Sequence, residues 1–186
     1  MHYTDRFAAR LVFMLAFLLL PTGIQAQTWV FDSGLVRFNI RNAGLKVDGE
    51  FSGLRATVDF QELQPEKARI EGSVEASSIQ TGIIMRDRHL RGKDYFDAAS
   101  HPKISMKLQK LEKSGNQFSG LFQLSMKGRI KEIRMPLQFT KKSPVSSSLE
   151  SSFTLNRLDF GIGKSSWTLG DDVSVEVVFH LKMSGD

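Results

Sequence analysis

Over most of its length this chain alternates apolar and polar residues one for one. Val36, Phe38 and Ile40 alternate with Arg37, Asn39 and Arg41, and Ala56, Val58 and Phe60 with Thr57 and Asp59. The pattern returns in Ile70, Val74 and Ala76, in Ile104, Met106 and Leu108, and in Phe118, Phe122, Leu124 and Met126 around Gly120. It is longest in Val173, Val175, Val177, Phe179, Leu181 and Met183. A period of two puts each apolar set on one side of a strand. Sheets that are apolar on one side and wet on the other are antiparallel sheets. Turn signals separate the runs: Asn42-Ala43-Gly44, Lys113-Ser114-Gly115-Asn116, Ser143-Pro144 and Gly170-Asp171-Asp172. About eight strands with this regular spacing, and no βαβ pattern, predict a sandwich or a closed barrel.

The stretch from Ser77 to Pro102 breaks the alternation. It predicts a short helical segment around residues 82–98. Thr81 is the expected N-cap, Gly92 the end of a first helix and Asp94 the cap of a second. Ser143 to Ser152 is serine-rich and reads as an exposed hairpin loop running into the next strand.

Residues 1–26 predict a secretory signal. Arg6 and Arg10 precede the apolar run Leu11 to Leu20, Pro21 and Gly23 break it, and Ala26 offers a cleavage point before Gln27. Ten apolar residues are too few for a bilayer span, which needs about 20. Residues 27–186 then form one domain. That part carries 23 basic and 19 acidic residues, a net charge of +4. The basic residues are spread out, so nucleic-acid binding is not indicated, and only a weak attraction to anionic headgroups and a transient membrane contact follow. The chain has no cysteine, so its core alone must hold it. An exported chain of this kind suits a bacterial periplasm.

Chemistry-bearing motifs are sparse. There are four histidines, His2, His89, His101 and His180, none paired at metal-ligand spacing. Neither a nucleophile elbow nor a phosphate loop is present. The reading is of a binding protein with no catalytic residues, no metal and no cofactor. With 14 Phe against two Tyr, the inward faces bring apolar area without hydroxyls that need partners. An eight-stranded barrel is either filled by such side chains or holds one ligand. Arg86, Asp87 and His89 on the helical segment, and Arg157 and Asp159 near the C-terminus, are candidates for holding a polar headgroup or for internal ties.

Several motifs in order resemble the YceI-like, polyisoprenoid-binding family. They are Trp29-Val30-Phe31-Asp32-Ser33, Val47-Asp48-Gly49-Glu50-Phe51, Ser78-Ile79-Gln80-Thr81, Arg86-Asp87-Arg88-His89-Leu90, Asp94-Tyr95-Phe96-Asp97, His101-Pro102, Asn156 to Gly163, and Leu169 to Val173. Two departures stand out. Leu124 to Ile130 lacks the family's hairpin threonines, and Gly82-Ile83-Ile84-Met85 is more apolar than usual. The resemblance implies an eight-stranded antiparallel, lipocalin-like barrel with an elongated lumen. It implies a long-chain isoprenoid, such as a polyprenyl phosphate or a quinone tail, carried as cargo rather than as a cofactor. The expected lumen residues are Phe38, Ile40, Phe51, Val58, Ile79, Phe96, Phe122, Leu124, Phe153, Phe160, Val177 and Phe179. Arg86, His89, Tyr95 and Arg157 are expected at the headgroup or mouth. The rival readings are an interaction or stress-response module without lipid, and an outer-membrane barrel.

Overall fold

Each alternating run becomes a strand, and every strand bonds antiparallel to its neighbours. The computed structural model describes residues 27–115 and 117–185, and the leading segment read as a secretory signal lies outside them. The strands are β1 (Trp29–Asn42), β2 (Leu45–Phe51), β3 (Arg55–Phe60), β4 (Arg69–Glu75), β5 (Ile79–Gln80), β6 (Lys103–Ser114), β7 (Gln117–Met126), β8 (Arg129–Lys141), β9 (Ser146–Asn156) and β10 (Leu169–Met183). The single α-helix among the described residues, α1, spans Ile84–Leu90.

These segments trace eight paths. Phe51 faces Val36 and Phe60 faces Trp29, so β2 and β3 are one path along β1. Ser52-Gly53-Leu54 interrupts it, with Gly53 at a φ of 69°. The next path is β4 and β5, broken by a 3-10 turn at Ala76–Ser78 and paired first to β3, then to β2. Each later strand pairs with its predecessor, and β10 pairs with β1 from Met183 at Trp29 to Leu169 at Asn42. The result is a closed, eight-stranded, up-and-down barrel, one of the two architectures that the alternation allows and the one that the resemblance implies.

Connections after β1, β5, β7 and β9 gather at one end, the mouth, where α1 also lies. The others gather at the opposite end, the base. Two mouth turns have both central residues left-handed: Ala43 (φ 49°) with Gly44 (φ 78°), and Lys127 (φ 48°) with Gly128 (φ 71°). This twist matches the strands it joins.

Two turn expectations are corrected. Gly170-Asp171-Asp172 belongs to β10, because the chain reverses earlier, where Gly161 and Gly163 both adopt φ 68°. The serine-rich stretch is mostly strand β9. Ser147, Ser148 and Ser151 are buried, and the Ser151 hydroxyl donates to the Pro136 carbonyl at 2.6 Å.

The base half of the interior is solid. Trp29, Val58, Phe60, Ile70, Phe122, Leu149 and Phe179 are all at most 2 % exposed. Phe60 meets Phe118 edge-on at 5.3 Å, and Phe31 meets Phe179 at 6.1 Å. The outer faces carry charge instead, as in Lys107–Glu71 and Lys182–Asp32. A membrane-spanning barrel needs an apolar outer band, so the outside of this barrel is the reverse of the outer-membrane reading.

Candidate lipid site at the barrel mouth

Towards the mouth the inward side chains stop meeting. A cavity of about 130 Å³ opens there, walled by Phe38, Ile40, Phe51, Ile79, Phe96 and Val173 among others. A second hollow of about 80 Å³ lies deeper, against Gly72, Leu124, Phe153 and Val177. Phe51, Met126, Leu155 and Val175 line both, so the two spaces are consecutive along the barrel. Phe51 packs on Phe38 at 5.6 Å and on Phe96 at 5.5 Å, an aromatic wall just inside the opening.

The twelve expected lumen residues divide by depth. Phe38, Ile40, Phe51, Ile79 and Phe96 line the outer cavity, and Leu124, Phe153 and Val177 line the deeper one together with Phe51. Val58, Phe122 and Phe179 instead sit in the filled base, where rings from opposite walls interlock. Phe160 is buried in the packing around the mouth and borders neither space. The elongated lumen is therefore corrected to a hollow confined to the mouth half. Sequence reasoning missed Val47, Leu90, Leu155 and Ile162 as wall residues. Two of them carry a usable signal: Leu155 continues the period of Phe153, and Val47 shares the period of Phe51.

The helix at the mouth is held by its polar residues. Thr81 is not its N-cap; Ile83 takes that position without a side-chain bond. The Thr81 hydroxyl and amide both donate to Asp87 Oδ1, and Thr81 accepts from Arg86 Nε at 2.7 Å. Arg86 Nη2 donates to the Thr81 carbonyl at 2.7 Å, and Arg91 Nη2 reaches the Ile79 carbonyl at 3.0 Å. These bonds staple α1 to β5. The expected second helix is a series of turns, and Asp94 does not cap it; the Asp94 carbonyl accepts from the Gly163 amide at 2.8 Å. Asp87→Ala removes the acceptor for two Thr81 donors. Its expected cost is about 1–3 kcal/mol, with faster amide exchange confined to α1, measured by hydrogen–deuterium exchange.

The four mouth candidates have different surroundings. Arg157 is 3 % exposed and donates to the carbonyls of Gly170, Ile162 and Lys164 at 2.7–2.8 Å, with an ion pair to Asp171 at 2.7 Å. Its guanidinium is chiefly a clamp for the loop that follows it. Arg86 is half-buried and borders the cavity, and its Nη1 has no protein acceptor among the described residues. Tyr95 lines the same cavity. His89 is exposed and meets Tyr95 edge-on at 5.0 Å, facing an outer groove rather than the lumen. That groove, of about 740 Å³, shares Arg86, Leu90, Tyr95 and Leu169 with the cavity and continues over Lys164, Ser165 and Ser166. An apolar hollow thus opens into a wider vestibule of mixed polarity, and the Arg86 guanidinium edge at the junction has no acceptor among the described residues.

Comparison with known proteins agrees with this architecture. A family model described as a YceI-like domain matches residues 29–181. A UPF0312 protein from Pseudomonas savastanoi pv. phaseolicola is 29% identical over 167 residues, covering 82% of this chain and 87% of the relative. The crystal structure of Burkholderia cenocepacia BcnA superposes with a TM-score of 0.74 at 20% identity, over 81% of this chain and 96% of that one. A polyisoprenoid binding domain from Saccharophagus degradans, implicated in plant cell wall breakdown, superposes with a TM-score of 0.61 at 11% identity, over 86% and 99%. At these identities the two solved structures share the fold.

Proposed function

Because the chain belongs to the YceI-like domain family, we propose that it is a lipid-binding barrel that carries an isoprenoid tail in the mouth half of its lumen, in the periplasm. The observation that supports this most is the contrast between a solid base and a hollow, apolar mouth half. A polyisoprenoid-binding domain shares the fold, which favours an isoprenoid over a generic fatty chain. The tail lies against Phe38, Ile40, Phe51, Ile79 and Phe96, and a phosphate or quinone head sits in the vestibule. Arg86 Nη1 is the donor best placed for a phosphate oxygen.

The walls run along β10 from Leu169 at the rim to Val177. That is about 27 Å of strand, or about 20 Å of depth at an ordinary barrel tilt. Four carbon–carbon bonds per isoprene unit span about 5 Å, so the hollow takes about four units extended. A longer tail folds back or protrudes. Each space is smaller than the roughly 300–1,000 Å³ of ordinary ligand pockets, so an entering chain displaces wall side chains. Met126, unbranched and at the junction of the two spaces, is the most adaptable of them.

Such a lipid otherwise resides in a membrane, not in water. Transfer from bilayer to lumen exchanges one apolar surrounding for another, so the free-energy difference is small and loading is reversible.

Native mass spectrometry of gently purified protein tests this, with organic extraction of any added mass. Gly72→Val is the informative variant. The nearest atoms to a Cβ at Gly72 are side-chain carbons of Leu54 and Phe179, at 3.6–3.7 Å, an ordinary contact, and Gly72 lines the deeper hollow that the larger side chain is meant to occupy. Stability is expected to rise by about 0.5–1 kcal/mol, because a glycine leaves a strand interior. The extractable lipid is expected to fall or shorten. A clean apo mass in the parent, or unchanged loading in Gly72→Val, would count against a lumen site and favour an interaction module.

A further inference from the structure

The mouth carries a feature that cargo binding alone leaves unused. Six of the nine large hydrophobic residues exposed among the described residues lie at this end: Leu45, Ile83, Ile84, Met85, Ile130 and Trp167. Single exposed apolar residues are ordinary, but a cluster at one pole is not. Ile84 and Met85 are 78 % and 70 % exposed at the start of α1, and Trp167 projects fully into solvent. Met85 and the loop from Gly163 to Thr168 border the same groove, and the Ala43 amide donates to the Thr168 carbonyl at 2.7 Å. The three elements therefore form one lip beside the opening.

Charge gathers at the same pole. Residues 41–46, 81–102, 127–131 and 157–172 make up the mouth connections and their flanks. They hold 11 Lys and Arg against 6 Asp, whereas the rest of residues 27–186 holds 12 basic and 13 acidic residues. The whole positive excess is at the mouth. Arg41, Arg88, Lys93 and Lys164 are exposed there and make no ion pair among the described residues.

We infer that the lip is a docking surface for an anionic lipid bilayer, on which the barrel stands mouth-down while its cargo moves. Apolar tips enter the interface, a tryptophan sits at headgroup level, and the basic collar meets lipid phosphates. The inference rests on the cargo reading, because docking at this pole matters only if something passes through the opening. It also gives a use to the unusually apolar Ile83-Ile84-Met85, which faces water rather than the lumen.

Flotation with vesicles tests it. All ten strands lie within residues 29–183, so chains beginning at Gln27 keep the complete barrel. The parent is expected to co-float with vesicles of equal parts phosphatidylglycerol and phosphatidylethanolamine, and poorly with phosphatidylcholine alone. Its tryptophan emission is expected to shift to the blue on the anionic vesicles. That shift reports Trp167, since Trp29, the other of the two tryptophans, is already buried. The triple variant Ile84→Ser, Met85→Ser, Trp167→Ser should keep its circular dichroism and lose binding at least about tenfold. Leu63→Ser with Val145→Ser, at the base, should bind as the parent does. A parent that stays unbound with both vesicles overturns the inference, as does a lip variant that floats equally well. A parent dimer that the lip variant lacks, without flotation, also overturns it, by making the lip a self-association surface. Lipid extracted from the same preparations keeps the two readings apart: cargo without flotation removes docking alone, and flotation without cargo removes the carrier.

Discussion

Phe179→Ala is expected to destabilise the barrel by about 3–5 kcal/mol while extending its hollow. The ring is 1 % exposed, stands edge-on to Phe31 and lies directly beneath Gly72. It is the first residue of the β10 inward face below the deeper hollow, two positions beyond Val177. Removing it costs the transfer free energy of the ring and leaves a void that close-packed neighbours fill only in part. Where the site differs from an ordinary core is that the void joins an existing cavity. If lipid loads the lumen, the variant should therefore accept a longer or heavier cargo than the parent even as its urea midpoint falls. Denaturation and native mass spectrometry of the same sample read both effects. A variant as stable as the parent would show that the base is not packed against this ring.

Arg157→Lys is expected to be nearly as damaging as Arg157→Ala, at about 3–5 kcal/mol. The charge survives in lysine, but the fork does not. One planar guanidinium binds the Ile162, Lys164 and Gly170 carbonyls and the Asp171 carboxylate in different directions. An ammonium on a flexible stem satisfies only some of them. The rest lose their donor, the Ile162 carbonyl in a buried position, and with them go the ties that hold the αL turns at Gly161 and Gly163. Thermal unfolding gives the magnitude, and amide exchange should rise first between residues 161 and 170. A lysine variant close to the parent would mean that charge alone holds this loop.

The contrast between these two residues shows what period-two patterning conveys. Alternation told which side of each strand turns inward, and with the turn signals it was enough for eight antiparallel paths. It carries no information about what an inward side chain meets across the barrel. Phe38 and Phe179 look alike in the chain, yet one walls a cavity and the other plugs the base. That difference depends on the partners facing each, and these come from strands far away in sequence. The polar residues followed the same logic. Arg157 and Arg86 were alike as candidates for the mouth, but only the fold shows the donors of Arg157 committed to backbone carbonyls and Asp171, while Arg86 Nη1 has no acceptor among the described residues. Gly170-Asp171-Asp172 misled because its composition is that of a turn, whereas the buried clamp on the Gly170 carbonyl and the left-handed glycines before it moved the reversal upstream.

The seam between β1 and β10 joins the first and the last of the described strands. Every other pairing joins two of the eight paths that are adjacent in order, so neighbouring paths can assemble early, but the cylinder stays open until Met183 meets Trp29. A nascent or truncated chain lacking β10 exposes two unpaired strand edges and the inward aromatics between them, which is a template for aggregation. Completion is thus all-or-none at the last strand, and a nonsense change anywhere before Leu169 removes not a part of the protein but its closure.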